Sequence, residues 1–132
     1  MSKIEGGCLC GNIRYEIDSA AGMGHCHCSR CQRCGGAAHA TVLATDRDNF
    51  RLVAGEESLG TYREEGFGDR GFCSNCGSSL YGEGGGAVYV EAGTVNGDPG
   101  LRPSFHIFVA DKVCWHEIRD DLPQHQGWPP AE

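Results

Sequence analysis

The sequence predicts a mostly β protein built from many short strands, with one short α-helix. Three observations lead to this prediction: apolar and polar residues alternate over several short runs, turn formers separate those runs, and one short segment carries helix-capping residues at both ends. The 132 residues fit a single domain over 1–132, and the 21 glycines are typical of a turn-rich chain. The pattern predicts the fold class but leaves the topology open.

The predicted strands follow one another along the first 110 residues. Alternation is clearest in NIRYEI (12–17), where Ile13, Tyr15 and Ile17 face one side. Six more β-like runs are predicted at 37–44, 50–55, 59–64, 70–73, 87–95 and 104–110. The turn-forming stretches TDRDN, GEES, GEGGG and NGDPG lie between these runs.

One short helix is predicted near SRCQRCGG (29–36), inside a group of cysteines. Ser29 can cap its start, and Gly35 and Gly36 can end it. The C-terminal IRDDLPQHQGWPP contains three prolines and no periodicity. We expect it to be an extended tail that packs on the body through Leu122 and Trp128.

Composition and charge exclude several classes of function. The formal net charge of −7, without a Lys/Arg stripe, opposes nucleic-acid binding, which depends on a basic surface. No run approaches the roughly 18 apolar residues of a transmembrane helix.

The start MSKIEGGCLC lacks the apolar region of a signal peptide, so we expect a cytoplasmic protein. Clustered thiols are kept reduced there and are more often metal ligands than disulfides, and nine cysteines cannot all pair within one chain.

A first metal site is predicted from CLC (Cys8, Cys10) and CSNC (Cys73, Cys76). A C-x-C on an extended segment presents both thiols to one side, and a C-x-x-C does so on a tight turn for which Gly77 supplies backbone freedom. Four thiolates complete a closed tetrahedral site, for which zinc is the best match and iron is compatible. A redox role for residues 73–76 is the competing interpretation, although no βαβ context surrounds them.

A second site is predicted in GHCHCSRCQRCGG (24–36), where Cys26, Cys28 and Cys31 can hold one ion and leave its fourth position free. Cys31 would lie near the helix start, where the amide dipoles favour thiolate. Three thiolates bring a zinc centre to a net charge of about −1, which disfavours activated-water hydrolysis and suits binding of an incoming thiol. Cys34 shares a helix face with Cys31 and could close this site as a fourth ligand.

Four stretches, taken in order, resemble the glutathione-dependent formaldehyde-activating enzyme (GFA) family, also called the GFA/CENP-V domain. They are GGCLCGNIRYEI, HCHCSRCQR, RGFCSNCGSSLY and RPSFHIFVADKVCWHEIRDDLPQHQGWP. The resemblance implies a complex multi-stranded β fold of the Mss4-like type. It also implies a structural zinc on the four cysteines of the first site and a catalytic zinc on Cys26, Cys28 and Cys31.

Members of this family are carbon-sulfur lyases that form or cleave S-hydroxymethylglutathione from formaldehyde and glutathione. The resemblance therefore implies a zinc-dependent lyase with two zinc ions per chain, a small-molecule thiol and an aldehyde as partners, and no nucleic-acid or membrane partner. The alternative is a non-catalytic β module with two structural zinc ions that binds a protein partner. Cys34 is the feature that favours this alternative, since a fourth sulfur would close the second site.

Other candidate residues receive structural interpretations. His25 and His27 flank Cys26, and alternation points both away from the metal that Cys26 and Cys28 face. His39 and His106 are expected to be hydrogen-bonded structural histidines. The remaining candidates are a buried Cys114, two anchoring tryptophans (Trp115 and Trp128), and four basic residues near the motifs that could bind a glutathione carboxylate: Arg30, Arg33, Arg102 and Lys112.

Overall fold

The computed structural model describes residues 3–130, in which it places ten β-strands and one α-helix. The strands are β1 (Ile4–Gly7), β2 (Arg14–Ile17), β3 (Gly22–Cys26), β4 (Ala40–Asp46), β5 (Phe50–Ala54), β6 (Leu59–Glu64), β7 (Gly68–Cys73), β8 (Ser79–Gly84), β9 (Ala87–Glu91) and β10 (His106–Ile107). The helix α1 spans Ser29–Gly35. The predicted fold class, mostly β with one short helix, is confirmed.

The strands form two sheets. A three-stranded antiparallel sheet has the order β1-β2-β5, and a seven-stranded sheet has the order β10-β3-β4-β9-β8-β7-β6. In the larger sheet, β10 pairs with β3 in parallel and the other neighbours are antiparallel. The sheet therefore brings β3 and β10, which are far apart in the chain, side by side at one edge.

The core lies between the two sheets. The small sheet contributes the alternating residues Ile13, Tyr15 and Ile17, each at most 1% exposed, as the sequence predicts. The large sheet contributes Leu80, Val88 and Val90, and two cysteines of the first predicted site, Cys8 and Cys73, belong to the same cluster. An ion bound by Cys8 and Cys73 would therefore hold part of the core in place directly.

All seven predicted strands are present, and several have different bounds. The run at 87–95 is a strand only to Glu91, because residues 92–94 turn as a 3₁₀ helix. The run at 104–110 is a strand only at His106–Ile107, since Phe108 adopts a left-handed φ of 55° and a 3₁₀ turn follows. Three strands were not predicted, namely β1, β3 and β8; all three contain glycines and polar residues that weaken the alternation.

The predicted helix is present, but Ser29 does not cap it. The N-cap is Cys28, whose Sγ accepts the backbone N–H of Cys31 at 3.3 Å, and Ser29 is the first helical residue. Gly36 ends the helix with a left-handed φ of 65°, as the sequence predicts. A predicted metal ligand is thus also the residue that starts the helix.

Backbone hydrogen bonds and one tryptophan attach the C-terminal tail to the body. His106 N–H donates to Pro123 O at 2.8 Å and His125 N–H to His106 O at 2.9 Å. Trp128 contacts the rings of Phe108 and Tyr89, as expected of a tail anchor, although it remains 62% exposed. Trp115 is 70% exposed and is not part of the core. Cys114, predicted to be buried, is also exposed.

No helix among residues 3–130 has the length and apolarity needed to cross a membrane.

Glu91, at the end of β9, makes the stability of the fold sensitive to pH. Burial raises the pKa of its carboxyl from 4.5 to about 7, against an opposing effect of Arg70. Between these values the folded chain binds a proton that the unfolded chain has lost, so stability falls as the pH rises from about 4.5 to about 7. We expect Glu91→Gln to remove this loss, with an advantage over the parent protein of up to about 3 kcal/mol at pH 8 that shrinks toward zero at pH 5.

Urea unfolding of zinc-loaded protein across this pH range measures the effect. Glu57→Gln, at an exposed position, is the matched control. A Glu91→Gln stability that runs parallel to that of the parent protein at every pH would contradict the prediction.

Candidate metal centres

The first predicted site is assembled from two distant parts of the chain. Cys8 and Cys10 follow β1, Cys73 ends β7, and Cys76 lies in the turn after it. Their four Sγ atoms all lie within 4.8 Å of one another, with 3.6 Å between Cys8 and Cys10 and 3.8 Å between Cys10 and Cys73. Tetrahedral zinc with Zn–S bonds of about 2.3 Å separates its sulfurs by about 3.8 Å. The thiols therefore have the spacing that such an ion requires.

Backbone amides favour the thiolate form at this site. Ile13 N–H donates to Cys8 Sγ at 3.2 Å, and Cys76 N–H to Cys73 Sγ at 3.5 Å. Gly77 closes the second turn with a left-handed φ of 79° and donates to Cys73 O at 2.8 Å. The Ser78 hydroxyl and nearby amides lower the pKa of the Cys76 thiol to about 5. Both turns thus orient amide groups toward sulfur, as metal-binding turns do.

The second predicted site lies at the junction of β3 and α1. Cys26 ends β3, Cys28 caps α1 and Cys31 lies in its first turn, and their three Sγ atoms lie within 4.8 Å of one another. Hydrogen bonds from the Cys26 and Cys31 thiols lower the pKa of Cys28 to about 2, whereas the bond with Cys28 raises the pKa of Cys26 to about 11. Without a cation, the Cys28 sulfur ionises, and the Cys26 and Cys31 thiols donate hydrogen bonds to it. A bound cation would replace the protons of these two thiols.

Cys34 does not join this group. It is exposed on α1, and its Sγ lies 3.4 Å from the Ser79 hydroxyl, outside the set of three mutually close sulfurs. The i+3 spacing from Cys31 is present in the helix, but α1 presents Cys34 toward β8 and not toward Cys26. The possible fourth ligand is therefore not placed as one in this structure.

Arg70 lies beside the second group, and the sequence alone did not single it out. Burial lowers the pKa of its guanidinium, but the negative charge that the Cys34, Cys31 and Cys28 sulfurs carry when ionised, with a hydrogen bond to Cys31, outweighs this and holds the pKa above its usual range. The strand register places Arg70 and Cys26 on the same face of the large sheet. The row through Arg70 continues through Gly82, Tyr89, Ala44 and Gly22, and Cys26 lies four residues further along β3. This shared face depends on the pairing of distant strands.

The sequence analysis singled out four basic residues near the motifs, and their surroundings differ from those of Arg70. Arg30 forms an ion pair with Glu64 at 2.7 Å, and its guanidinium lies 3.3 Å from the centroid of the Phe67 ring. Arg102 pairs with Asp98 at 2.9 Å. The other two are an exposed Arg33 and Lys112, whose Nζ donates to backbone carbonyls. Three of the four are thus engaged by the protein's own groups.

The histidines lie on the face opposite the three thiols. His25 stacks on His106 with 4.8 Å between ring centroids, and His27 Nε2 and His106 Nδ1 are 2.9 Å apart. Strand alternation in HCHC therefore separates the two residue types, as the sequence predicts. His106 is 2% exposed and fully hydrogen-bonded, in agreement with its predicted structural role. Burial and the neighbouring rings lower the pKa of His25 and His27 to about 4, so both are neutral at pH 7.

A β fold that gathers seven cysteines into two compact groups defines a class of cysteine-rich proteins equipped to bind metal ions. The model of the family described as glutathione-dependent formaldehyde-activating enzyme matches residues 3–111. The chain belongs to this family, as the four sequence motifs predict.

The chain is also similar to several individual proteins, of which one carries the family's name. A Halomonas elongata protein that carries the family's name is 31% identical over 130 residues, which cover 87% of this chain and 80% of that protein. An uncharacterized lyase of Schizosaccharomyces pombe is 32% identical over 82 residues, 61% of this chain and 58% of its own length. A crystal structure of a Rhodobacter sphaeroides protein superposes with a TM-score of 0.60 at 26% identity, covering 71% of this chain and 89% of that one.

Proposed function

We propose that this protein is a zinc-dependent carbon-sulfur lyase that adds the thiol of glutathione to formaldehyde or a related aldehyde and cleaves the adduct in the reverse direction. The observation that carries the proposal is the group of exactly three close sulfurs, Cys26, Cys28 and Cys31, in a member of this family. Four sulfurs enclose an ion, whereas three leave one coordination position for an outside ligand. The four-sulfur group would hold a second, structural zinc.

The proposed reaction is redox-neutral. The thiol sulfur attacks the carbonyl carbon, an S–C bond forms, and the π electrons of the carbonyl move to oxygen. The thiol proton leaves to water and the new hydroxyl takes a proton from water, so the adduct is an S-hydroxymethyl thioether. Zinc, when held by the three cysteines, would supply a position where an incoming thiol ionises at neutral pH.

The donor set fits this role. Three thiolates and a divalent ion carry a net charge of about −1, and a thiolate substrate would bring it to about −2. The Arg70 guanidinium beside Cys31 offsets part of that charge and remains protonated. Since three of the basic residues predicted earlier are engaged elsewhere, Arg70 is also the cation best placed to bind a carboxylate of glutathione.

All nine cysteines lie within the described residues and none forms a disulfide. This state supports our proposal of a reducing, cytoplasmic location, where glutathione is also abundant. The proposed partners are a small thiol and a small aldehyde. The charge of −7 opposes a nucleic-acid partner.

We expect Arg70→Gln to raise the KM for glutathione about tenfold, because a charge-assisted hydrogen bond stabilises a complex by about 1.5 kcal/mol or more. Arg70→Lys should recover part of the loss. Steady-state kinetics at varied glutathione measures the change, and Arg63→Gln, an exposed arginine on the neighbouring strand β6, is the matched control. An unchanged KM in Arg70→Gln would assign the residue a purely structural role.

The proposed function is tested by exchange NMR on formaldehyde and glutathione with the zinc-loaded protein. We expect exchange between free and adduct formaldehyde to be faster than in buffer alone. No enhancement over the uncatalysed rate would rule out this substrate pair.

The zinc-edge X-ray absorption of the protein loaded with two zinc ions would report how the second site is closed. An average of about 3.5 sulfurs per zinc, which rises to about four when glutathione is added, would support the lyase. An average of about four sulfurs in the resting protein would support the non-catalytic alternative. Cys34→Ser is the matched variant, and we expect it to leave both the spectrum and the activity unchanged, since its sulfur lies against Ser79.

A further inference from the structure

Five of the six histidines form a second cluster of metal-binding side chains, separate from both groups of thiols. Neighbouring rings in it lie between 4.7 and 6.3 Å apart, centroid to centroid. Its members are His25, His27, His39, His106 and His116. The proposed lyase reaction uses none of them. Asp120 lies beside two of these histidines. The ligand atoms of His25, His106 and Asp120 all lie within 4.8 Å of one another.

The hydrogen bonds of these residues use one ring nitrogen of His25 and both ring nitrogens of His106. Thr41 Oγ1 lies 2.8 Å from His25 Nδ1, which leaves Nε2 of that ring available. The carboxylate oxygens of Asp120 lie 3.0 and 3.1 Å from His106 Nε2. In metal sites, a ligating histidine normally has its other ring nitrogen held by a protein group in this way.

His27 supplies that support for His106. It is fully buried, its Nε2 lies 2.9 Å from His106 Nδ1, and its own Nδ1 has no partner among the described residues. If a cation replaces the proton on His106 Nε2, then His106 Nδ1 must become the donor to His27 Nε2. His27 can make this tautomer change without losing a bond, because its Nδ1 is unpartnered in both forms.

Backbone pairing holds Asp120 in position opposite these rings. The C-terminal tail pairs with β10 on both sides of His106, through Pro123 O and His125 N–H. Asp120 also accepts the backbone N–H of Leu122 at 3.0 Å. Its side chain is 44% exposed, so an ion can reach it from solvent and the carboxylate can still adjust.

We propose that His25, His106 and Asp120 form a third metal site, which takes zinc or a similar first-row divalent ion. Two imidazoles and one carboxylate are a familiar donor set for such ions. The ligand nitrogens would have to approach to about 3.3 Å, the spacing in a tetrahedral site with bonds of about 2.0 Å, so binding includes a small side-chain movement. With one negative ligand the centre keeps a net charge of about +1, and it would retain water in its remaining positions.

The test uses full-length, tag-free protein whose thiol sites are first loaded with zinc and then titrated with Co²⁺. We expect one further equivalent to bind, with visible ligand-field bands and without the near-ultraviolet charge-transfer bands of a cobalt–sulfur bond. Asp120→Asn and His25→Gln should weaken this binding at least tenfold. The neighbouring exposed carboxylate gives the matched control, Asp121→Asn, which should bind as the parent protein does.

The metal content of one variant keeps the result interpretable. Retention of both zinc ions in Asp120→Asn would show that the fold and the thiol sites are intact, and its exposed position makes this the expected outcome. The proposal is overturned if no third equivalent binds, if Asp120→Asn binds it as tightly as the parent, or if the bound cobalt shows sulfur charge transfer. The lyase assay is not needed, so failure here leaves the proposed function standing.

Discussion

Cys10→Ser is expected to leave the protein largely unfolded at room temperature. Cys10 is exposed, so the substitution removes almost no packing, yet it removes one of four sulfurs that join the start of the chain to the end of β7. A structural zinc contributes about 10–16 kcal/mol in zinc-finger peptides at pH 7, which matches or exceeds the usual net stability of about 5–15 kcal/mol. Circular dichroism and metal analysis of the purified variant measure the loss.

The matched control is Cys34→Ser, which changes an equally exposed cysteine outside both groups. Cys73→Ser should be at least as damaging as Cys10→Ser, because Cys73 is fully buried in the core cluster. A Cys10→Ser protein that keeps its metal and the thermal midpoint of the parent would contradict a structural metal at this site.

The second large effect concerns activity and not folding. We expect Cys28→Ser to reduce lyase activity at least a hundredfold, to the uncatalysed rate, and to remove one zinc per chain, because two sulfurs hold zinc far less well than three. Serine is a favourable N-cap residue, so it can still accept the Cys31 amide and preserve the start of α1. The thermal midpoint should therefore change little.

This choice of substitution separates loss of the metal ligand from loss of the helix. Exchange NMR and metal analysis are measured on the same sample, with Cys114→Ser as a control at an exposed cysteine outside both groups. If Cys28→Ser retained activity while losing zinc, the three-sulfur centre would not be the site of the reaction.

The sequence predicted the cysteine motifs CLC, CSNC and HCHCSRC because the spacing within each motif is local. In HCHC, strand alternation alone sends Cys26 to one face and His25 and His27 to the other, and the structure has this arrangement. The same holds for CSNC, where Gly77 permits the left-handed turn that the motif requires. Such features depend on neighbours within a few residues, which the sequence displays directly.

Predictions that depended on the surroundings of a residue were less reliable. Cys114 and Trp115 are apolar by type, and yet both are exposed, because they lie in a turn outside the strands. Ser29 is a good N-cap by type, but Cys28 takes the position because its sulfur is already directed at the helix start. The type of a residue gives it a tendency to be buried or to cap a helix, and its contacts with neighbouring elements determine whether it does so.

The sequence by itself determined the fold class, the family and the two sets of cysteines, since alternation, turn residues and short cysteine spacings are properties of continuous segments. Tertiary structure alone decided what surrounds those sets. It placed Arg70 beside Cys31, turned Cys34 toward Ser79, and brought Asp120 to His106 through pairing of the tail. The physical reason is that strand order and register join residues far apart in the chain, and no local preference encodes which distant strands will pair.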